Sequence, residues 1–276
     1  MPVFNRLAMT RAMLDDLRVQ ELDEPLKIVV IDDGSTDGTD AFLASQSDVL
    51  TVKGDGSLWW GGAIDLGIRV VSNLAAPDDW VLFVNNDTHI HASFVRSLLT
   101  TARRLSPVAV GCVIRHACAP YALKSIGPII DASKFLIDDV LCQATMDAMD
   151  KDIGIHDVDA LSGRGVLYPL RALHQAGGMR PKWLPHYLAD YELSLRVRAA
   201  GWRLVVDSAV AVYSGDEYGN AHRGKGLKAR FLTVRSPSYL PAQIMFWWHA
   251  STVLQKITLP MRLLLMSLFP SIRKKK

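Results

Sequence analysis

Apolar residues in this chain occur in short continuous runs, separated by longer stretches in which apolar positions recur at helical spacing. Such runs, rich in Val, Ile and Leu, are typical of parallel strands buried on both faces. The predicted strands span Leu26–Ile31, Val49–Lys53, Val81–Val84 and Val108–Ile114, and the predicted helices span Leu7–Gln20, Ile64–Leu74 and Ala92–Leu105. This alternation predicts an α/β fold with a mostly parallel, Rossmann-like sheet flanked by helices.

Composition narrows the class of protein. Apolar residues make up 49% of the 276 residues and charged residues 21%, as expected of a globular protein with an ample core. The net charge of +3 is small and the basic residues crowd into the last quarter, so we expect no nucleic-acid partner. Cys112, Cys118 and Cys142 form no Cys-x-x-Cys pair, which favours a reducing cytosol.

The strand at Val81–Val84 changes abruptly into Asn85, Asn86 and Asp87. In open α/β sheets, ligands bind at the carboxyl ends of the strands. A carboxylate at that position can hold a divalent cation, which in turn neutralises the phosphates of a nucleotide. A polar turn that closes a strand explains the same residues equally well.

Two glycine-containing loops follow the neighbouring strands. Asp32–Thr39 places two carboxylates at a strand end, and its Ser35, Thr36 or Asp37 can cap the next helix. Gly54–Ala63 includes Gly61 and Gly62, which let the backbone approach a ligand closely, beside Trp59 and Trp60. The two tryptophans serve either as an apolar wall for a sugar or base, or as core packing.

A further helix is predicted from Leu188 to a C-cap at Gly201. Asp190 lies in its first turn, where the helix dipole favours a carboxylate that can also face a cleft. The alternative is a helix-end charge that pairs with Arg196 or Arg198.

The segment Asp32–Thr39 closely resembles the nucleotide-binding loop of family-two glycosyltransferases, which have the GT-A fold. The resemblance implies that Asp33 contacts the base or ribose of a sugar nucleotide. The opening Pro2–Arg6 resembles the end of that family's first strand, so we expect either a missing sheet edge or a true start further upstream. The donor-binding residues expected from these segments and from the glycine-rich loop, which resembles a rhamnosyltransferase-like branch, are Pro2, Asp33, Ser35, Gly61 and Gly62.

Asn85–Asp87 falls where the family carries its Asp-x-Asp metal motif, of which only the last carboxylate is present. The resemblance therefore implies Asp87 as a ligand of Mn²⁺ or Mg²⁺, with Asn85 and His222 as further candidate ligands. It also implies that Asn86, Asp87 and Arg164 contact a UDP-, dTDP- or GDP-sugar. From its residue type, Arg164 fits a phosphate contact or a structural ion pair equally well.

The stretch around Asp190 resembles the family motif Glu-Asp-x-Asp/Glu-Leu followed by Arg, which implies that Asp190 is the catalytic base. Ala189 replaces the usual Glu and removes a supporting carboxylate. The later positions of the motif, Glu192 and Arg196, are expected to support the helix. A base is required here because an acceptor hydroxyl must lose its proton as it attacks the anomeric carbon.

The last stretch, Val253–Phe269, has apolar residues at helical spacing and is followed by Arg273–Lys276. It falls short of the ~20 apolar residues needed to cross a bilayer. We predict an interfacial helix drawn to anionic lipid, and the alternative is packing on the catalytic domain or on a twin subunit in a homodimer. The family's processive synthases carry membrane spans and a Gln-x-x-Arg-Trp motif, and because this chain has neither, transfer of single sugars is expected.

Taken together, these features predict an inverting glycosyltransferase that moves one sugar to a lipid-linked or polysaccharide acceptor in bacterial surface glycan synthesis, at the cytoplasmic face of the membrane. Residues 1–235 are expected to form the GT-A domain, with a nucleotide-sugar-binding half (1–114) and an acceptor-binding half (115–235) that includes a small extension. Residues 236–276 are expected to form a helical, basic tail. The alternatives are an inactive partner subunit of similar fold and a sugar nucleotidyltransferase.

Overall fold

The structure is a computed structural model that describes residues 1–143, 153–215 and 226–268. In the first part of the chain, strands and helices alternate as predicted. These elements are β1 (Pro2–Val3), α1 (Leu7–Arg18), β2 (Ile28–Asp32), α2 (Thr39–Ala44), β3 (Val49–Lys53), α3 (Trp59–Ser72), β4 (Trp80–Phe83), β5 (Thr88–His89), α4 (Phe94–Leu105) and β6 (Val108–His116).

The second part begins with short strands and ends with helices. Its elements are β7 (Leu123–Ser125), β8 (Pro128–Asp131), β9 (Leu136–Asp139), a 3₁₀ helix (Val140–Gln143), β10 (Ile155–Asp157), β11 (Val166–Pro169), α5 (Leu170–Gln175), α6 (Ala189–Ala199), β12 (Arg203–Ser214), α7 (Leu227–Leu232), α8 (Leu240–Ala250) and α9 (Val253–Leu268).

Two sheets form the central layer. Strands β1, β2 and β3 pair in parallel, and the larger sheet has the order β10-β12-β6-β11-β4. Strands β6 and β12 pair in parallel, whereas β11 runs antiparallel to both β4 and β6. The α/β prediction is confirmed, with a mixed sheet, because β11 returns from the extension in the opposite direction.

An apolar cavity of about 500 Å³ lies between β2 and β4, at the edge where the two sheets meet. Side chains of both strands line it, together with residues of α1, α3 and α4. The α-amino group of Met1 donates a hydrogen bond to the Val29 carbonyl at 2.9 Å, and burial lowers the pKa of this group to about 5. Ile64 and Ile68 of α3 pack with Phe83 of β4 in one core, and Gly67 of the same helix faces Ile31 of β2, so α3 links the two sheets here.

The C-terminal helices pack on the preceding domain. Phe246 and Trp247 of α8 are fully buried in the core that also contains Leu193 of α6. Leu259 of α9 is buried, and the Arg262 guanidinium donates to the carbonyl of Ala132. Within the described residues, no helix has the length and apolarity needed to cross a bilayer. The boundary at residue 236 stays a prediction.

Two elements extend beyond their predicted limits. Helix α3 begins at Trp59, so the tryptophans and Gly61 and Gly62 lie in its first turn rather than in a loop. The sequence predicts a strand at Trp202–Val206 and a separate short apolar run at Ala209–Tyr213, and strand β12 joins the two, with a register shift between Asp207 and Ala211.

Candidate active site

The carboxylate of Asp33 organises the glycine-rich loop. Its Oδ1 accepts hydrogen bonds from the backbone N–H groups of Gly56 at 2.9 Å and Leu58 at 3.2 Å, and its Oδ2 accepts from Trp59 at 3.1 Å. Asp33 therefore satisfies backbone donors at the start of α3, as an N-cap residue would, although it lies on another loop. Its predicted contact with a base or ribose stays a prediction.

Ser35 holds the turn after β1 in place. Its Oγ accepts a hydrogen bond from the N–H of Asn5 at 2.7 Å, and Asn5 Oδ1 accepts in turn from the N–H of Thr36 at 2.8 Å. Pro2 lies in β1 opposite Ile31 of β2. The roles of Pro2 and Ser35 in donor binding stay predictions, but both residues fix the turn that carries the next side chain of the site.

That side chain is Arg6, whose Nη1 lies 3.0 Å from Asp87 Oδ2. The other carboxylate oxygen, Asp87 Oδ1, is buried and has no hydrogen-bond partner among the described residues. A buried carboxylate oxygen without a donor is costly, so a cation or a donor from a ligand would stabilise this site. The residues present thus fit a divalent cation at Asp87.

The three polar residues after β4 point in different directions. Asn85 Oδ1 accepts a hydrogen bond from Trp60 Nε1 at 2.9 Å. Asn86 turns inward, where its Nδ2 donates to Thr10 Oγ1 at 3.0 Å. Asp87 alone directs a carboxylate toward Arg6, while Asn85 as a metal ligand and Asn86 as a donor contact stay predictions.

Gly61 and Gly62 bring the start of α3 against another part of the protein. The N–H of Gly61 donates to the Pro185 carbonyl at 2.7 Å, and a Cβ on Gly61 would lie 2.4 Å from the Leu184 carbonyl oxygen. A Cβ on Gly62 would lie 3.2 Å from that of Leu58. The close approach at Gly61 is therefore to protein backbone, and the contacts of both glycines with a donor stay predictions.

Gly163 joins the tryptophan to the predicted base. A Cβ on Gly163 would lie 2.2 Å from Cζ2 of Trp60, so the indole ring lies directly on the glycine. The N–H of Gly163 donates to Asp190 Oδ2 at 2.9 Å. Contacts thus run without a break from Asn85 through Trp60 and Gly163 to Asp190, and they bring the strand end after β4 and the start of α6 to one site.

Backbone N–H groups bind both oxygens of the Asp190 carboxylate, whose role as a base stays a prediction. Its Oδ1 accepts a hydrogen bond from the N–H of Tyr191 at 2.9 Å, so both carboxylate oxygens are fixed while the side chain keeps partial exposure. Burial raises the pKa of Asp190, and the N–H groups of Gly163 and Tyr191 and the charge of Arg164 only partly oppose that rise. A carboxylate with a raised pKa is a stronger base.

The structure assigns Arg164 to the surroundings of Asp190, since its charge acts on that carboxylate. Its contact with phosphate stays a prediction. His222 lies outside the described residues. Among the described residues, no three His, Cys, Asp or Glu side chains come together as a metal site, so Asp87 would need further ligands from the donor and from water.

The first half of the chain matches a known protein family. The family model described as "Glycosyl transferase family 2" matches residues 1–141, slightly more than half of the chain. The chain belongs to glycosyl transferase family 2. Two curated relatives of this glycosyltransferase, from strains CDC 1551 and H37Rv of Mycobacterium tuberculosis, are named N-acetylglucosaminyl-diphospho-decaprenol L-rhamnosyltransferase. Each is 25% identical over 254 residues, which cover 83% of this chain and 78% of the relative.

Solved structures share the fold of this family-two glycosyltransferase. GalNAc-T7 with UDP, GalNAc and Mn²⁺ has a TM-score of 0.61 at 12% identity, over 78% of this chain and 43% of the other. S. aureus TarS 1-349 with UDP has a TM-score of 0.55 at 15% identity, over 78% of this chain and 58% of the other. The mannosyltransferase PcManGT from Pyrobaculum calidifontis with GDP-Man and Mn²⁺ has a TM-score of 0.53 at 16% identity, over 99% of this chain and 80% of the other. The GT-A prediction is confirmed, and the chain spans less than two thirds of the first two structures.

The candidate site also includes Arg6, His186 and Arg235, which the sequence analysis did not identify. The Arg235 guanidinium lies 5.4 Å from the centroid of the Trp59 ring, which in turn lies 6.0 Å from the His186 ring. His186 Nδ1 is buried and has no hydrogen-bond partner in the part of the chain that the structure describes, and burial, followed by the charges of Arg235 and Arg6, lowers the pKa of this histidine. The positive charges of Arg235, over Trp59, and of Arg6, at Asp87, thus both act on His186, which makes this side of the site suited to an anionic ligand.

Proposed function

We propose that this protein is an inverting glycosyltransferase that moves one sugar from a nucleotide-diphosphate sugar to a hydroxyl of a lipid-linked or polysaccharide acceptor. The observation that carries the proposal is the chain of contacts from Asn85 through Trp60 and Gly163 to Asp190. It joins the predicted cation-binding segment to the predicted base. Both groups are needed at one place, because the attacking hydroxyl and the leaving diphosphate flank the same anomeric carbon.

Asp190 takes the proton of the acceptor hydroxyl as the oxygen attacks the anomeric carbon. The two backbone N–H groups that bind its carboxylate fix its position, and burial raises its pKa toward that of an effective base at neutral pH. Attack from the side opposite the leaving group inverts the anomeric carbon, and the nucleoside diphosphate departs with the bonding electrons.

The departing diphosphate requires positive charge. Arg6 supplies a guanidinium group at Asp87 and Arg235 supplies one over Trp59, and Asp87 would hold Mn²⁺ or Mg²⁺ through its unpaired oxygen. When bound, the cation would neutralise charge that develops on the diphosphate oxygens. UDP-, dTDP- and GDP-sugars are the proposed donors, which agrees with the UDP and GDP-Man present in similar structures.

Thermal unfolding against a panel of these sugar nucleotides, with and without Mn²⁺ or Mg²⁺, tests the donor site. A ligand at ~100 times its dissociation constant adds about 2.7 kcal/mol to the free energy of unfolding. We expect a rise with one nucleotide that is larger with the metal and is lost in Asp87→Ala. Asp65→Ala, on the outer part of α3, is the matched control. No rise with any donor would favour the inactive partner subunit.

We also propose that the protein docks on the inner face of the cell membrane through an apolar surface formed by α8 and α9. The members of this docking surface are partly or largely exposed apolar residues: Ile244, Trp248, Val253, Leu254, Ile257 and Met261. The α9 residues among them are 60–78% exposed, whereas Leu259 on the other side of the helix is 2% exposed. The basic segment 273–276, which lies outside the described residues, adds positive charge suited to anionic lipid.

Vesicle sedimentation tests this docking surface. We expect wild-type protein to bind phosphatidylglycerol vesicles more strongly than phosphatidylcholine vesicles, and Leu254→Glu/Ile257→Glu to lose most of that binding without a lower melting temperature. Val19→Glu is the control, because Val19 is 60% exposed at the end of α1. Unchanged binding of the double variant would refute the proposal. A wild-type dimer that becomes a monomer in the double variant, by light scattering, would assign the surface to a twin subunit instead.

A further inference from the structure

Arg6 is held in place with unusual backbone geometry. Asn5 and Arg6 both have positive φ angles, 57° and 69°, which non-glycine residues seldom adopt. The hydrogen bonds of Asn5 to Ser35 and Thr36 keep this turn fixed, and the N–H of Leu7 donates to Asp37 Oδ2 at 3.0 Å. Strained residues of this kind persist where the surroundings determine them fully, and they cluster at ligand-binding sites.

The turn delivers the Arg6 guanidinium to Asp87. The Arg6 side chain is 40% exposed and that of Asp87 is 19% exposed, so the ion pair lies at the mouth of the site rather than in the core. One Asp87 oxygen binds Arg6, and the other is buried without a partner among the described residues. The carboxylate is thus only half satisfied, and its negative charge is already matched by Arg6.

We propose that Arg6 is a tethered placeholder cation: without donor it neutralises Asp87 and weakens binding of a divalent metal, and when a diphosphate enters it shifts to the phosphate. This inference rests on the proposed donor site. It adds an order of binding, in which the diphosphate binds first and draws Arg6 away, so that Asp87 can bind the metal. Arg6 then acts as a positioning residue for Asp87 and as a binding residue for the donor.

The chemistry of the guanidinium supports the exchange. Arginine binds planar oxyanions through paired N–H groups, and phosphate accepts such bonds as readily as carboxylate does. The charge of Arg6 also acts on His186, whose ring lies 6.0 Å from the Trp59 ring, and the Arg235 guanidinium lies over that same tryptophan. A move from Asp87 toward this side of the site keeps the charge near its tethering turn.

Binding of Mn²⁺ alone, measured from the electron paramagnetic resonance signal of the free ion, tests the placeholder role. We expect Arg6→Met to bind Mn²⁺ about tenfold or more tightly than wild type, because a neighbouring positive charge has been removed. Arg18→Met is the matched control, since Arg18 ends the helix α1 that Arg6 precedes and forms an ion pair with Asp48, away from the site. Arg6→Lys, which keeps the charge, should resemble wild type.

Binding of UDP, dTDP and GDP without metal, measured by calorimetry, tests the second half of the exchange. The nucleotide that binds wild type should bind Arg6→Met roughly tenfold or more weakly, because a charge-assisted contact to phosphate is lost. Equal Mn²⁺ affinity of wild type and Arg6→Met would overturn the placeholder role. If Arg6→Met binds Mn²⁺ more tightly but the protein binds no nucleotide, Arg6 does weaken metal binding at Asp87, and the proposed donor site is refuted.

Discussion

The indole ring of Trp60 occupies the space that a side chain on Gly163 would need, with 2.2 Å between Cζ2 and an ideal Cβ position. Each partner holds a different functional group: Trp60 donates to Asn85, and Gly163 donates to Asp190. The contact therefore sets the distance between the cation-binding side of the site and the base. A small shift at this contact would misalign groups that must act on one anomeric carbon.

Replacing Gly163 with alanine should separate these two groups. In Gly163→Ala, either the Trp60 ring or the loop that precedes β11 must move. We therefore expect the rate of sugar transfer to fall at least about tenfold and the fold to be destabilised by about 1–3 kcal/mol. Gly154→Ala is the control, since nothing lies within 4 Å of a Cβ at Gly154. Initial transfer rates and urea unfolding provide the measurements, and a variant with full activity would mean that the contact does not position the base.

Removal of the proposed base should affect chemistry far more than donor binding. We expect Asp190→Asn to lower the transfer rate by about 10²–10⁴, with an unchanged donor-induced rise in melting temperature. Since Asp190 must be ionised to accept a proton, activity should fall as the pH drops through its pKa, which burial raises above the usual value of 3.8. An Asp190→Asn protein with wild-type rates would refute this assignment.

Arg164 offers a check on the same pKa. Its positive charge lowers the pKa of Asp190, so Arg164→Gln should move the acid limb of the pH–rate profile to higher pH. If Arg164 instead serves only the diphosphate, the variant should raise the KM for the donor and leave the acid limb in place.

Two glycines of α3 provide a matched pair. A Cβ at Gly61 would lie 2.4 Å from the Leu184 carbonyl oxygen, whereas a Cβ at Gly67 would make ordinary contact with Ile31 Cγ1 at 3.5 Å. We expect Gly61→Ala to lower the melting temperature and the transfer rate, because the clash is with backbone that leads into α6. Gly67→Ala should be neutral or stabilise the protein by up to about 1 kcal/mol, through the better helix propensity of alanine. Equal effects of the two substitutions would contradict this view of Gly61.

Periodicity predicts elements well where local sequence decides the structure. Strand β3 matches its predicted limits of Val49–Lys53, because a short run rich in β-branched residues between Asp48 and Gly54 has few other solutions. The start of α3 was predicted too late because its capping group, the Asp33 carboxylate, comes from a different loop. A contact over that sequence distance leaves no trace in the helical pattern itself.

The Asp32–Thr39 segment was sufficient to infer the family correctly. It was not sufficient to predict in which direction each side chain of the site points. Asn86 belongs to the motif-like segment after β4 but donates to Thr10 in the interior. Arg6 pairs with Asp87 and Arg235 lies over Trp59, each far from its partner in the sequence. Such meetings depend on the tertiary fold, so residue type and spacing alone could not reveal them.

A buried ion cluster joins α6, which carries the proposed base Asp190, to the C-terminal helix α8. Glu192 is 1% exposed and its oxygens lie 2.7 and 2.8 Å from nitrogens of Arg196, while Oε1 also lies 3.0 Å from His249 Nδ1. We expect Glu192→Gln to destabilise the protein by about 3–5 kcal/mol, because Arg196 is left buried without a carboxylate. Asp78→Asn, which breaks the exposed pair with Arg171, should change the stability by less than about 1 kcal/mol.

The pH dependence of stability distinguishes this ion cluster from simple packing. Burial alone would raise the pKa of Glu192, but hydrogen bonds from His249 and Arg196 outweigh it and lower the pKa below the usual value of 4.5. A carboxyl group whose pKa is lower in the folded state stabilises the fold above its unfolded pKa, and that contribution is lost as the pH falls through the folded pKa. Wild type should therefore lose stability below about pH 4.5 by this route, and Glu192→Gln should lack that part of the loss. Urea unfolding of both proteins from pH 7 to pH 3 measures the difference, and parallel curves would mean that the cluster contributes through packing alone.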